Sequence, residues 1–174
     1  MSGALDDHTV AYVLATRLHF DNLRDAAAQI AGVLVLAASG ARDAAPDHPM
    51  LQSACALLRE SGEVIRRTRG TARSRRHHQL LTQAAEALEA ALSAARVLLG
   101  RPAGHLDLDP SLAPLSAGYA HLQHASRELP GFEIVGFAHA CCGGGGVGSH
   151  FQVLPRAPLE EGQNLKMTPD TGVV

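Results

Sequence analysis

Between Leu81 and Leu99 apolar residues recur every three or four positions without a break: Leu81, Ala84, Ala85, Leu88, Ala91, Leu92, Ala95, Leu98 and Leu99. Such a stripe is continuous only on a helix, whose 3.6-residue turn brings these positions to one side. A strand would divide them between two faces. Gly100-Arg101-Pro102 follows at once, a glycine where the chain leaves helical geometry and a proline that cannot continue it. A helix from about Arg73 to Leu99 with this stripe must bury it against other helices.

The rest of the chain supplies them. A first helix is expected from Asp7 or Thr9 to Ser39, with Asp7 as its cap and Gly40 just past its end. Val10, Val13, Leu14, Phe20, Leu23, Ala27, Ile30, Leu34 and Ala37 form its expected stripe. A second helix opens at Asp47-His48-Pro49, where a proline without its N–H costs nothing. Leu51, Ala54, Cys55, Leu58, Gly62 and Ile65 are its apolar side, and Gly70 weakens its end. The stretch from Thr68 to Ser74 is poor in apolar residues, so the second and third helices are read as two. A fourth helix is expected from about Leu112 to Leu129, capped by Ser111, with Leu112, Leu115, Tyr119, Leu122 and Leu129 on one face.

After Leu129-Pro130-Gly131 the pattern changes. Phe132 to His139 reads as a strand, Ala140 to Ser149 as a glycine-rich loop and His150 to Leu154 as a second strand. The expected fold is mainly α: an antiparallel four-helix bundle over residues 1–130, a short C-terminal β-hairpin over 131–154 and a disordered tail over 155–174. Absent Trp, an aromatic content of 3% and a hydrophobic content of 46% suit closely packed helices better than a β-sandwich.

Fifteen basic and seventeen acidic residues exclude a uniformly basic nucleic-acid binder and an acidic disordered chain. The most apolar stretch, Ala26 to Ala38, falls short of the ~20 residues that span a bilayer. The acidic start has no secretory pattern, and three cysteines make no secreted disulfide framework. A soluble cytoplasmic protein without membrane contact is the expectation.

Chemistry concentrates in His139, Cys141, Cys142 and His150, four imidazole or thiol donors within twelve residues. They suit zinc, copper or iron, and the glycines between them permit a tight wrap. The spacing is not that of a zinc knuckle, and the competing reading leaves the cysteines as small hydrophobes beside a strand. A thiol-redox role for Cys141 and Cys142 is a further alternative, with His139 as the cation beside them. Gly143, Gly145 and Gly148 match G-x-G-x-x-G formally. No helix follows, and no Lys-Ser or Lys-Thr completes a phosphate loop.

A second cluster is basic: Arg66, Arg67, Arg69, Arg73, Arg75, Arg76, His77 and His78 straddle the turn between helices two and three. Its arginines could meet nucleic-acid phosphates, but no aromatic residue offers a base to stack on. The alternative is a solvated tip. His121 and His124 lie three apart on helix four without the partner carboxylates of a bundle metal site, and Cys55 and His19 read as structural.

No pair of catalytic carboxylates and no nucleophile motif emerges. The expected function is therefore non-enzymatic. The chain reads as a small helical interaction or regulatory protein, carrying a transition metal at His139, Cys141, Cys142 and His150. Its expected partner is another protein or a second copy: the Ala-rich stripes of helices one and three offer a dimer face, and the hairpin edge offers a strand to pair with a partner or a second copy.

Overall fold

The computed structural model describes residues 6–40, 45–101 and 107–133. Four helices account for most of them: α1 (Asp7–Ala38), α2 (Pro49–Arg67), α3 (Arg75–Leu99) and α4 (Asp109–Glu128). The expected hairpin and tail, from Ile134 on, lie outside the described residues, as do His139, Cys141, Cys142 and His150.

Each helix is set by local chemistry. The Asp6 carboxylate accepts the Thr9 backbone N–H at 2.9 Å and the Thr9 hydroxyl at 2.7 Å, so Asp6, not Asp7, caps α1. Those two bonds, the hydroxyl's first, hold the Asp6 carboxyl below its ordinary range. Gly40 follows α1 with φ +75°, a left-handed position that favours glycine. His48 caps α2, its Nδ1 accepting the Met50 N–H at 3.2 Å. α2 ends at Arg67, so Gly70 lies in the turn rather than weakening a helix. Across that turn Thr71 and Ser74 bond reciprocally: the Thr71 N–H donates to the Ser74 hydroxyl at 2.8 Å and the Ser74 N–H to the Thr71 hydroxyl at 3.1 Å. This closes the chain into the start of α3.

α4 departs most from expectation. It begins at Asp109, with Pro110 in its first turn, so Ser111 is inside the helix rather than its cap, and is buried. Leu112 and Tyr119, expected in the core, are substantially exposed, whereas Leu115 and Leu122 are buried. The burial pattern places Ser111, Leu115, Gly118, Leu122 and Ala125 inward.

The helices pack in sequence, α1 on α2, α2 on α3 and α3 on α4, most closely between α3 and α4. α1 also meets α3, with Tyr12 against His77, and the α1–α4 contact is the slightest. The core holds Phe20, Leu23, Ile30 and Leu34 of α1, Leu51, Leu58 and Ile65 of α2, Leu80, Leu81 and Leu88 of α3, and Leu122 of α4. Each such side chain stabilises the bundle by roughly 1.5–3 kcal/mol on removal from water. Phe132 is also buried, its ring 5.3 Å edge-on from Phe20.

α1 corrects the expectation that Val10 and Leu14 belong to its buried stripe: both are exposed. Leu14 and Leu23 are nine residues apart, about two and a half turns, and so stand on opposite sides of one helix. The inward side is Thr9, Tyr12, Thr16, His19, Phe20 and Leu23 and their continuation to Ala37.

A Cβ built on Gly118 would sit 2.8 Å from Leu88 Cγ and 3.4 Å from the Ala84 carbonyl oxygen. Gly118→Ala is therefore expected to destabilise the bundle. The strain of overpacking, about 1–3 kcal/mol, exceeds the ~1 kcal/mol gained in helix propensity. Urea unfolding followed by circular dichroism checks this; an unchanged or raised midpoint would contradict the close α3–α4 approach.

Candidate functional site

Two features of the described residues are candidates for function. One is a groove. Because α4 leans on α3 and hardly touches α1, a channel of about 470 Å³ opens between α1 and α4. Ala27, Ala28 and Ala31 form one wall and Leu112, Leu115, Ser116 and Tyr119 the other, with Arg24 and Asp25 at its end. The small α1 side chains keep that wall low, and the lining is mainly apolar. Beside it runs the outward face of α1, where Leu14 is 74% exposed, Leu18 62% and Val35 67%. Of the eight large hydrophobic residues exposed among the described ones, five are on α1: Val10, Leu14, Leu18, Val35 and Leu36. Single exposed aliphatics are ordinary; five on one helix make α1 a candidate contact surface.

The second feature is a buried polar cluster where α1 meets the start of α3. The Tyr12 hydroxyl and His77 Nδ1 are 2.9 Å apart. Their rings stand edge-on at 5.6 Å, and Tyr12 meets His78 in the same manner at 6.1 Å. Phe132 lies tilted over His77 at 4.1 Å. Nearby, the Thr9 and Thr71 hydroxyls are 3.2 Å apart, extending the Asp6 cap to the Thr71–Ser74 turn. His77 Nε2 and His78 Nδ1 are buried without a hydrogen-bond partner among the described residues. Burial, reinforced by the neighbouring His78, lowers the His77 imidazole to about 4. Burial also lowers His78 and raises the Tyr12 phenol, the latter opposed by Thr16. His77 is thus held neutral beside Tyr12 at neutral pH.

The basic run is divided by this arrangement. His77 points into the core and is fully buried, a correction to its place in a solvated tip. Arg67 pairs with Glu63 one turn earlier. Arg66 Nη1 is 3.8 Å from Glu89 on α3, and Arg76 donates to Gln79 at 3.5 Å. Arg69, Arg73 and Arg75 are exposed around the turn. His121 is half-buried and His124 exposed on α4, and no group of three metal-binding side chains forms among the described residues. Cys55 is half-buried, with Arg96 Nη1 3.7 Å from its sulfur. His19, read as structural, is buried with its Nδ1 3.4 Å from the Ser61 hydroxyl.

The sequence reading missed both features. His77 sits four positions before Leu81 and three before Leu80, on the line of the α3 stripe, and that register was the signal for its burial. The groove depends on the distance between two helices, which no single helix encodes. Comparisons with protein-family models, with curated proteins and with solved structures find no match. No helix among the described residues is long and apolar enough to cross a membrane.

The His77 imidazole fixes a pH dependence. In the unfolded chain it takes a proton near 6.5, in the folded chain near 4. Acid therefore favours unfolding: its contribution is complete above about pH 6.5 and falls away on the way down to pH 4, by about 3 kcal/mol in total. Chemical unfolding measured across that range should show this slope, and His77→Gln should flatten it. An equal slope in the variant would contradict the assignment.

Proposed function

We propose that this chain is a non-enzymatic helical interaction protein whose docking surface is the α1–α4 groove with the outward face of α1. The observation that carries the reading is that groove, apolar and open, with Leu112 and Tyr119 exposed at its α4 rim and further exposed aliphatic side chains elsewhere on α1. An apolar channel between two helices accepts side chains of a third helix set at i, i+3 or i+4 and i+7. The described polar groups support binding rather than catalysis: the buried imidazole is held neutral and covered by Phe132, far from the acid–base role that needs a proton exchanged near neutral pH. The arginine tip supports a nucleic-acid partner less well, since Arg66 and Arg67 already face carboxylates and His77 faces inward.

A photo-crosslinking residue placed at Ala28 or Leu112, in cells expressing the full chain, should give a discrete covalent product. The same residue at Glu86, exposed on α3, should not. Absence of any product from the groove positions would overturn the reading.

The donor set of His139, Cys141, Cys142 and His150 supports a second element of the same reading, a transition-metal site. Two thiolates and two imidazoles match zinc in number and type, and copper or iron in ligand softness. Purified under reducing conditions, the protein should then carry close to one metal ion per chain by elemental mass spectrometry. Replacement of both cysteines by serine should abolish it. No metal, even after reconstitution, would remove this element and leave the docking surface in place.

A further inference from the structure

Resting on the docking reading, we infer that the occupant of this surface is a second copy of the chain, joined by antiparallel pairing of α1 with α1 about a twofold axis between Arg24 and Asp25. α1 carries large apolar side chains on both sides, the outer ones at Leu14, Leu18, Val35 and Leu36 divided by the charges of Asp21, Arg24 and Asp25. Its inner side is covered by α2 and α3. Its outer side has a pattern that matches itself when reversed.

About an axis between Arg24 and Asp25, Leu14 of one copy stands opposite Val35 of the other, and Leu18 stands opposite Ala31. The two most exposed leucines of α1 thus meet the exposed valine and a groove alanine at its far end. Leu18 of each copy is the projecting side chain, and the low wall at Ala28 and Ala31 of the other is the recess. A twofold contact requires this reciprocity, because the same patch serves as both partners.

The charges obey the same symmetry. At the centre Arg24 of each copy falls opposite Asp25 of the other, while Asp21 falls opposite Ala28. Within one chain Arg24 Nη1 lies 3.4 Å from Asp21, with both side chains still partly exposed and able to meet a second partner. A parallel pairing would instead stack Arg24 on Arg24 and Asp25 on Asp25, placing like charges together. The span from Leu14 to Leu36 is about 33 Å of helix, at 1.5 Å per residue.

The test is the mass of the purified full chain in sedimentation equilibrium over a concentration series, with circular dichroism as a control on folding. A dimer at micromolar concentration is expected from a chain of 18.2 kDa. Leu14→Glu with Leu18→Glu, at positions exposed in the single chain, should give a monomer of unchanged helicity. Arg24→Asp should weaken the dimer at least tenfold, and adding Asp25→Arg to it should restore much of that loss. A monomer at every concentration overturns self-pairing, as does a dimer indifferent to the leucine changes or a charge reversal without rescue. The docking reading fails separately: it falls if the groove crosslink is absent. A monomer whose groove crosslinks to a product of another mass assigns the surface to a different protein. A crosslink within the chain assigns it to a segment of this protein, and both outcomes overturn the second copy.

Discussion

The contact of Gly118 with Leu88 governs the arrangement of the bundle. Where α4 presents a hydrogen instead of a methyl group, the Leu88 side chain and the Ala84 carbonyl come against its backbone. α4 is thereby drawn onto α3, and a helix drawn to one neighbour is withdrawn from the other. The α1–α4 side stays open, and Leu112 and Tyr119 stand at the rim of a groove instead of in the core. Interiors pack at crystal-like density, so a small residue at one crossing decides where the remaining space goes. Here it goes to the surface, as a channel.

The polar residues at the start of α1 and α3 serve a different purpose. Sliding a leucine and alanine stripe by a turn sets large side chains where small ones were, and the packing resists it. Hydrogen bonds add a second, directional resistance. Asp6, Thr9, Thr71 and Ser74 form a connected line from the cap of α1 to the first turn of α3, and Tyr12 meets His77 beside it. A slip of one turn would separate each pair and leave buried polar atoms unmatched, at a cost of about 1–3 kcal/mol each. These residues reinforce the register that the apolar packing sets. The unmatched His77 Nε2 is the local cost of placing an imidazole where Phe132 covers it and Tyr12 stands edge-on to it.

How much of this was legible in the sequence follows from the same physics. α3 was legible because its outer face is polar, so that one period explains every leucine. α2 was legible for the same reason, and its separation from α3 followed from the polar turn. α1 defeated the reading because Leu14, Leu18, Val35 and Leu36 lie outside while Leu23, Ile30 and Leu34 lie inside, so that spacings of three and four can be threaded through either side. Angular position along the helix distinguishes the two sides, but only burial says which faces the core. Ser111 misled for a local reason: a serine just before a leucine and a proline resembles a cap, yet Pro110 had already opened the helix. The His139 to His150 donors were legible as chemistry and lie outside the described residues.

The double-sided character of α1 has a consequence for specificity. An uninterrupted apolar outer face would join any apolar surface and, being exposed, would favour indiscriminate association. On this helix the apolar stretches at Leu14–Leu18 and Val35–Leu36 are separated by Asp21, Arg24 and Asp25. A partner lying along α1 would meet those charges midway along its length. Displaced by one turn, it would lose the match to Arg24 and Asp25. On the docking reading, the aliphatic ends would supply attraction and the charged centre alignment. The small residues Ala28 and Ala31 leave room for a partner's side chain to descend into the groove between α1 and α4.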